Sequence, residues 1–476
     1  MLILVSFSVI IIVINKKGKT MQDFKKQYIF EDMPIPKAVA TLAVPTILGM
    51  LVSIIYNIAD TFFVGRIGDP NQVAAVTITM PIFMFLMAFG NLFGIGSMSY
   101  ISRLLGSKSY SDIKKTSAFS FFSCLAIGII IAVVGILQLD NIVHLLGSSD
   151  NTFEFARQYL RTVFLGAPFI ILSFAFGQLL RAEGAAKEAM IGMMIGTVIN
   201  IVLDPILILT FKMGVYGAAV ATVFANFISV AYYLIYLIFN SDILSISPKD
   251  FSLDFNIIKN ILKIGVPASL TNLLLSISSV ILNNFAVNYG DAVVAALGII
   301  SRVLMFPVLL SIGLCQGVQP LIGYSYAADN RARLKATMKF TGFTAVISST
   351  LISTLLFVAS FQVVRVFIDD IKTIELGSLF LRINLISIPF LSMLFLFSFT
   401  FQAVGKGIPS LILAISRQGF IFIPTIIIGN AFFGLNGIVF AQPIADIVSS
   451  FLSVIMALFV FKRDSKLSNL EQSENN

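Results

Sequence analysis

Residues 116–137 read Thr116-Ser-Ala-Phe-Ser-Phe-Phe-Ser-Cys-Leu-Ala-Ile-Gly-Ile-Ile-Ile-Ala-Val-Val-Gly-Ile-Leu137, a run without one charged side chain. A hydrocarbon layer of about 30 Å is crossed by roughly 20 apolar helical residues. A run of this length is therefore a membrane-spanning helix. A lone strand of a membrane barrel is about half as long and alternates in polarity, which this run does not.

Outward from this run the pattern repeats along the chain. Long apolar stretches separated by charged or Gly/Pro-rich turns fall at about 39–63, 73–101, 114–138, 157–181, 187–210, 214–240, 259–289, 294–325, 335–360, 375–403, 409–431 and 434–461. The composition agrees: 57% of the 476 residues are hydrophobic and 12% charged, whereas a soluble domain carries about 25% charge. The mean hydropathy is +0.95. The fold class is an all-α membrane protein of about twelve transmembrane helices.

The net charge of +8 points to membrane orientation rather than to nucleic acid. With the N-terminus inside, 23 of the 32 Lys and Arg residues fall on the cytoplasmic side. Seven (Arg66, Arg157, Arg161, Lys212, Arg365, Lys372 and Arg382) fall outside, and Arg302 and Arg417 lie within or near spans. The positive-inside rule then puts both termini in the cytoplasm of a multi-pass protein of the cell membrane. Met1–Ile14 is apolar but short for a span, and its lysines follow the apolar run, the reverse of a signal peptide. Residues 1–20 are read as an extension ahead of a true start at Met21, which N-terminal mass spectrometry finding residues 1–20 in the mature protein would refute.

Five landmarks recur. Tyr159-Leu-Arg161, Pro168 and Gly184 match Phe380-Leu-Arg382, Pro389 and Gly405, all at one constant offset. Pro45 matches Pro267, and Gly217 matches Gly437, at very nearly the same offset. Each repeat holds an even number of spans, so the halves share one orientation, related by a pseudo-two-fold axis along the membrane normal. The division is an N-terminal lobe over 21–240, a cytoplasmic linker over 241–258, a C-terminal lobe over 259–463 and a cytoplasmic tail over 464–476, with a central cleft between the lobes.

Charge inside a span is costly, about 2.5–3.5 kcal/mol per carboxylate on insertion scales, so the exceptions are candidates for function. Asp60 follows Tyr56 by one helical turn, and Asp204 follows Asn200 by one turn, so each pair shares a helix face. Two acids with an amide and a phenol suit a proton or a small hard cation. The competing reading is a structural hydrogen bond near a helix end. A third acid, Asp446, stands alone but for Gln442 and reads as structural. Pro45 removes a helical hydrogen bond in span 1, as a static bend or a hinge. Gln178, Arg302, Gln316 and Arg417 are candidate cleft residues. Arg302 and Arg417 either snorkel or pair with a carboxylate. The 45 Phe and 16 Met residues pack the core and face lipid, and some would suit lipophilic cations in a cleft wall.

Several classes are excluded. Gly405-Lys406 is followed by Gly407, and Thr400 stands where the first glycine of a phosphate loop belongs, so ATP does not drive the protein. Cys124 and Cys315 lie in separate spans, and His144 is the only histidine. A disulfide framework, a multi-histidine metal site and an interfacial enzyme centre are therefore set aside.

The stretches Tyr56-Asn-Ile-Ala-Asp-Thr-Phe-Phe-Val-Gly65, Arg103-Leu-Leu-Gly106, Leu180-Arg-Ala-Glu-Gly184 and Asn200-Ile-Val-Leu-Asp-Pro-Ile206 resemble the multidrug and toxic compound extrusion (MATE) family, in its DinF-like branch. The similarity runs from about Met21 to Arg463. It implies two six-helix lobes, alternating access, and antiport of H⁺ or Na⁺ against small organic, often cationic, compounds. It implies no cofactor and no nucleic-acid partner, a monomer in the bilayer, and a part in drug resistance. It also implies an ion-coupling site in the N-terminal lobe at Tyr56, Asp60, Asn200, Asp204 and Thr222, with Pro45 as the bending residue. Na⁺, if used, would sit at Asp60, Asn200, Asp204 and Thr222. The other main branch places acids in spans 7 and 10, where this chain has none before Asp291 and none after Glu375. Gln316 stands where some relatives carry an acid, which leaves H⁺ and Na⁺ both open. The rival reading is a flippase of a lipid or lipid-linked glycan, which wants a strongly cationic cleft and here has only Arg302 and Arg417.

Overall fold

The computed structural model describes residues 27–474, with the side chains of Thr61, Asn272 and 463–474 left out. The extension expected over 1–20 lies outside the described residues. Among those described there is no β-strand. The helices are α1 Ile35–Gly65, α2 Pro70–Gly106, α3 Tyr110–Leu137, α4 Leu139–Leu145, α5 Asp150–Leu165, α6 Ala167–Ala182, α7 Ala186–Asp204, α8 Gly214–Asn240, α9 Phe255–Val287, α10 Asp291–Ala327, α11 Arg331–Val358, α12 Ser360–Arg365, α13 Ile371–Leu385, α14 Ile388–Ala403, α15 Gly407–Ile415, α16 Phe422–Phe433 and α17 Leu435–Glu474. Wider π-helical turns, Pro205–Thr210 and Ser416–Ile421, continue α7 and join α15 to α16.

Ten of these elements are long and apolar enough to cross a membrane, and two bent pairs bring the total to twelve. The bent pairs are α5–α6, turning by 55°, and α13–α14, turning by 45°. Both turn beside a proline, Pro168 and Pro389, in the first turn of the second helix. There the missing N–H is tolerated and the ring blocks continuation of the helix before it. Spans 4 and 10 of the sequence are thus each two helices. The repeat carries through to the helix starts: Pro70 and Asp291, Tyr110 and Arg331, Leu139 and Ser360, Ala186 and Gly407, and Gly214 and Leu435 all keep the offset that relates Pro168 to Pro389.

With no water in the hydrocarbon, each buried hydroxyl needs a partner in the protein. Many bond back to their own helix, as Thr46 does to the Leu42 carbonyl at 2.9 Å and Ser102 to that of Met98 at 2.6 Å. The 241–258 segment is held by hydrogen bonds. Ser241 donates to Glu183 at 2.7 Å, and the Ser245 N–H donates to Ser117 Oγ at 2.8 Å.

The chain forms two compact units. Unit 1 comprises Met1–Ser269 with Pro320–Leu334, and unit 2 comprises Leu270–Gln319 with Lys335–Asn476. Unit 2 is built on a large apolar cluster containing Phe380, Leu391, Phe401 and Leu413, with a second around Phe422, Ile426 and Ile438. Unit 1 holds smaller clusters around Leu160 and Phe164, and around Val64 and Ile208.

Candidate functional site

Helix α7 decides the site. Gly192, Gly196, Asn200 and Asp204 are all buried and follow one another at intervals of about one helical turn, so they form one stripe. The two glycines bring α8 in close. A Cβ on Gly192 would lie 2.1 Å from the Tyr233 ring, and one on Gly196 would lie 2.1 Å from Ser229 Oγ. Ser229 donates to the Gly192 carbonyl at 3.0 Å and Tyr233 to that of Ala189 at 2.9 Å. Small residues that let two backbones approach are the usual means of joining helices in lipid.

The next two positions of the stripe are polar and fully enclosed, Asn200 at 1% exposure and Asp204 at 0%, beside Thr222 of α8 at 4%. With its amide nitrogen turned to the carboxylate, Asn200 donates to Asp204 Oδ2 at 2.9 Å and accepts from the Thr222 N–H at 3.2 Å. The second oxygen, Asp204 Oδ1, has no hydrogen-bond partner among the described residues. Helix α1 packs along α7, with Ser53 3.7 Å from the Met193 sulfur. It supplies Tyr56 and Asp60, both half-buried. Tyr56 lies within interaction range of the Thr222 hydroxyl and electrostatically of Asp60, Asp204 and Tyr159. Asp60 and Asp204 feel each other's charge. Five residues scattered in sequence from Tyr56 to Thr222 thus meet in unit 1. The arrangement gathers two carboxylates, a phenol, an amide and a hydroxyl, donor types that suit a proton or a small hard cation.

Sequence reasoning passed over Tyr159, which stands on α5 within electrostatic reach of both acids. A signal was present, since the repeat pairs Tyr159 with Phe380 and the difference is one hydroxyl. It also passed over Ser173 and Asn226, which extend the network. Ser173 donates to Asn226 Oδ1 at 2.5 Å, and Asn226 donates to the Thr222 carbonyl at 2.8 Å.

The other singled-out residues lie apart. Helix α1 continues unbroken through Pro45. Gln178 is buried on α6 and accepts from Arg181 at 3.0 Å. Gln316 is buried on α10, and Arg302 is exposed on the same helix. Arg417 is in unit 2, where its Nε donates to Asp446 Oδ1 at 2.7 Å. Asp446 therefore does not stand alone. Its partner belongs to the preceding span, a separation in sequence that helical periodicity cannot register.

The MatE family model matches this chain twice, over residues 45–206 and 267–428. The chain belongs to the MatE family. The multidrug export protein MepA of Staphylococcus saprophyticus is 36% identical over 92% of this chain and 96% of its own length. Two solved structures align with TM-scores of 0.87 at 27% identity. One is a crystal structure of MATE in complex with MaL6, covering 93% of this chain and 99% of that one. The other is an outward-facing multidrug resistance MATE family transporter, covering 92% and 98%. Membership in this family of multidrug export transporters makes the MatE chain a membrane transporter and not an enzyme, and transporters of the family need no cofactor.

Proposed function

We propose that this MatE chain is an antiporter that exports small organic, often cationic, compounds across the cytoplasmic membrane by alternating access, coupled to entry of H⁺ or Na⁺ through Asp60 and Asp204. It works as a monomer with both termini in the cytoplasm, as its loop charges favour. Its two lobes are the two halves of the sequence repeat, 21–240 and 259–463, and Pro45 is the bending point of α1. The observation that carries the reading is the pair of acids, Asp204 enclosed and Asp60 half-buried beside it. Asp204 keeps one oxygen bare beside Asp60, with Tyr56, Asn200 and Thr222 around them. A buried carboxylate without a fixed counter-charge is expensive. An arriving cation repays that cost, and this makes the site's occupancy a lever on conformation.

The lever works only if ion and cargo prefer different states, since a ligand bound equally by both shifts nothing. In the outward-facing state the acids take up the ion and favour release of the drug. In the inward-facing state the ion leaves and the drug binds from the cytoplasm or inner leaflet. A tenfold ion gradient supplies about 1.4 kcal/mol per ion, enough for a tenfold drug gradient in one-for-one exchange.

The test is drug efflux from proteoliposomes under separately imposed pH and Na⁺ gradients, for the unaltered chain, Asp60→Asn and Asp204→Asn. Efflux driven by one gradient and lost in both variants supports the reading and names the ion. Efflux indifferent to both gradients refutes it in favour of a lipid flippase.

A further inference from the structure

Unit 2 contains a buried ion pair whose role the coupling site leaves unexplained. Arg417 lies in the π-helical turn Ser416–Ile421, and its guanidinium lies over Phe395 with 5.7 Å to the ring centre. The side chains of Arg417 and Asp446 are 12% and 4% exposed. Asp446 Oδ1 accepts from Arg417 Nε at 2.7 Å and from Gln442 Nε2 at 2.8 Å, and its Oδ2 accepts from Ser387 at 3.2 Å. π-turns inside long helices are often found at functional positions.

The repeat shows what this pair corresponds to. Gly217 and Gly437 each meet the backbone of the helical segment before them, at Leu207 and Gly429. On that register Gln442 and Asp446 of α17 occupy the places of Thr222 and Asn226 of α8. Those two residues belong to the polar network of unit 1, which joins the fifth and sixth spans of its repeat. The Arg417 pair joins the same two spans of the second repeat, α15–α16 and α17. Among the described residues, no Lys or Arg of unit 1 forms an ion pair with Asp60 or Asp204. In unit 2 the acid has such a partner, delivered covalently.

We propose that Arg417 is a built-in cation that permanently neutralises Asp446 between the last two spans of the second repeat, so that Asp446 carries no exchangeable ion and the ions moved per cycle are those of unit 1 alone. A guanidinium keeps its proton at any physiological pH and cannot leave. The carboxylate beside it is therefore permanently compensated, whichever way the transporter faces. Removing Arg417 turns Asp446 into a site for a monovalent cation, with Gln442 and Ser387 as neutral neighbours.

This inference rests on the ion-coupled reading of unit 1, and the experiment separates the two. Purified protein in detergent is assayed for bound ²²Na⁺ and for proton uptake in an Asp60→Asn/Asp204→Asn background. That background binds no ion. Adding Arg417→Gln restores one site per chain, adding Asp446→Asn to that removes it, and Arg417→Lys restores none. No gain on Arg417→Gln, or a gained site that survives Asp446→Asn, overturns the inference. A background that binds as much ion as the unaltered chain refutes the unit 1 reading instead, while the gain on Arg417→Gln still decides the role of Arg417.

Breaking a buried pair on one side can prevent folding, whereas neutralising both partners together is often tolerated. If Arg417→Gln does not give a monodisperse protein, the pair variant Arg417→Gln/Asp446→Asn is measured in the otherwise unaltered chain. Its bound-ion count equals that of the unaltered chain, and loss of a bound ion overturns the inference.

Discussion

Gly192→Ala adds one methyl group, and its consequences can be followed through unit 1. The new carbon would lie 2.1, 2.7 and 2.8 Å from three atoms of the Tyr233 ring. Ordinary contact begins near 3.4 Å, so ring and methyl must move well apart. The ring does not swing away freely, because its hydroxyl is tied to the Ala189 carbonyl at 2.9 Å. Overpacking of this kind costs about 1–3 kcal/mol. Losing the tyrosine bond adds about 1 kcal/mol, and exchanging glycine for alanine in a helix returns about 1 kcal/mol. The net cost is about 1–3 kcal/mol, a thermal midpoint lower by several degrees in a detergent unfolding scan. The effect on coupling follows from geometry. Asn200 stands two turns further along the same face, and its 3.2 Å contact with the Thr222 N–H does not survive an opening between α7 and α8. The half-saturating ion concentration for drug efflux shifts roughly tenfold. Tyr233→Ala on top of Gly192→Ala makes room for the methyl and restores both readings in part, a coupling that a double-mutant cycle measures. If Gly192→Ala leaves midpoint and ion dependence unchanged, or if Tyr233→Ala gives no relief, the close approach of α7 and α8 does not set the site.

Asn200→Leu strips Asp204 of the amide that it accepts from, at about 1–3 kcal/mol. The half-saturating ion concentration in the proteoliposome assay should shift about 5- to 150-fold, downward for H⁺ because the carboxylate deprived of its donor holds a proton more tightly, and an unchanged value would remove Asn200 from the site. Tyr159→Phe installs the side chain that the second repeat already tolerates at Phe380, so the thermal midpoint should hold while the ion dependence of efflux shifts; a fallen midpoint with unchanged coupling would make the hydroxyl structural. In unit 1, Tyr324 donates to Glu31 at 2.5 Å, and this bond, aided by Gln27 and Lys108, holds the Glu31 carboxyl below its ordinary value near 4.5. A lowered carboxyl pKa contributes stability above the ordinary value that is lost as pH falls through the lowered one. Glu31→Gln should therefore reduce the midpoint at pH 7 by the equivalent of up to about 1 kcal/mol, a deficit that shrinks as pH falls below the ordinary carboxylate range, whereas a deficit that does not change with pH would exclude the charge as the cause.

The fold was legible because the hydrocarbon imposes it. Twelve apolar runs and a repeat of constant offset leave little freedom, and the bends at Pro168 and Pro389 sit at repeat landmarks. The π-turns and the short helices α4 and α12 were not legible, since they change neither length nor apolar content of a span. For the site, Tyr56 with Asp60 and Asn200 with Asp204 announced themselves as charges where charge is costly. Their meeting in space, and the pairing of Arg417 with Asp446, depend on contacts between helices that no periodicity encodes.

The repeat also argues that the two units are not equivalent in chemistry. The register that pairs Pro45 with Pro267 also relates both ends of the family match, 45–206 and 267–428. It sets Asp60 against Leu282, Asn200 against Phe422 and Asp204 against Ile426. In unit 2 those three are neighbours too, with Phe422 and Ile426 in one buried cluster and Leu282 packed against it. The second repeat has therefore kept the packing geometry of the first and filled it with hydrocarbon. A carboxylate placed there would meet Phe and Ile in place of the amide and hydroxyls of unit 1, with no polar partner to offset its desolvation. Leu282→Asp should consequently destabilise the protein by about 3 kcal/mol or more without adding an ion per cycle, whereas Arg417→Gln should add one. An added ion from Leu282→Asp would mean that the geometry alone makes an ion site, and that the polar shell around Asp204 is dispensable.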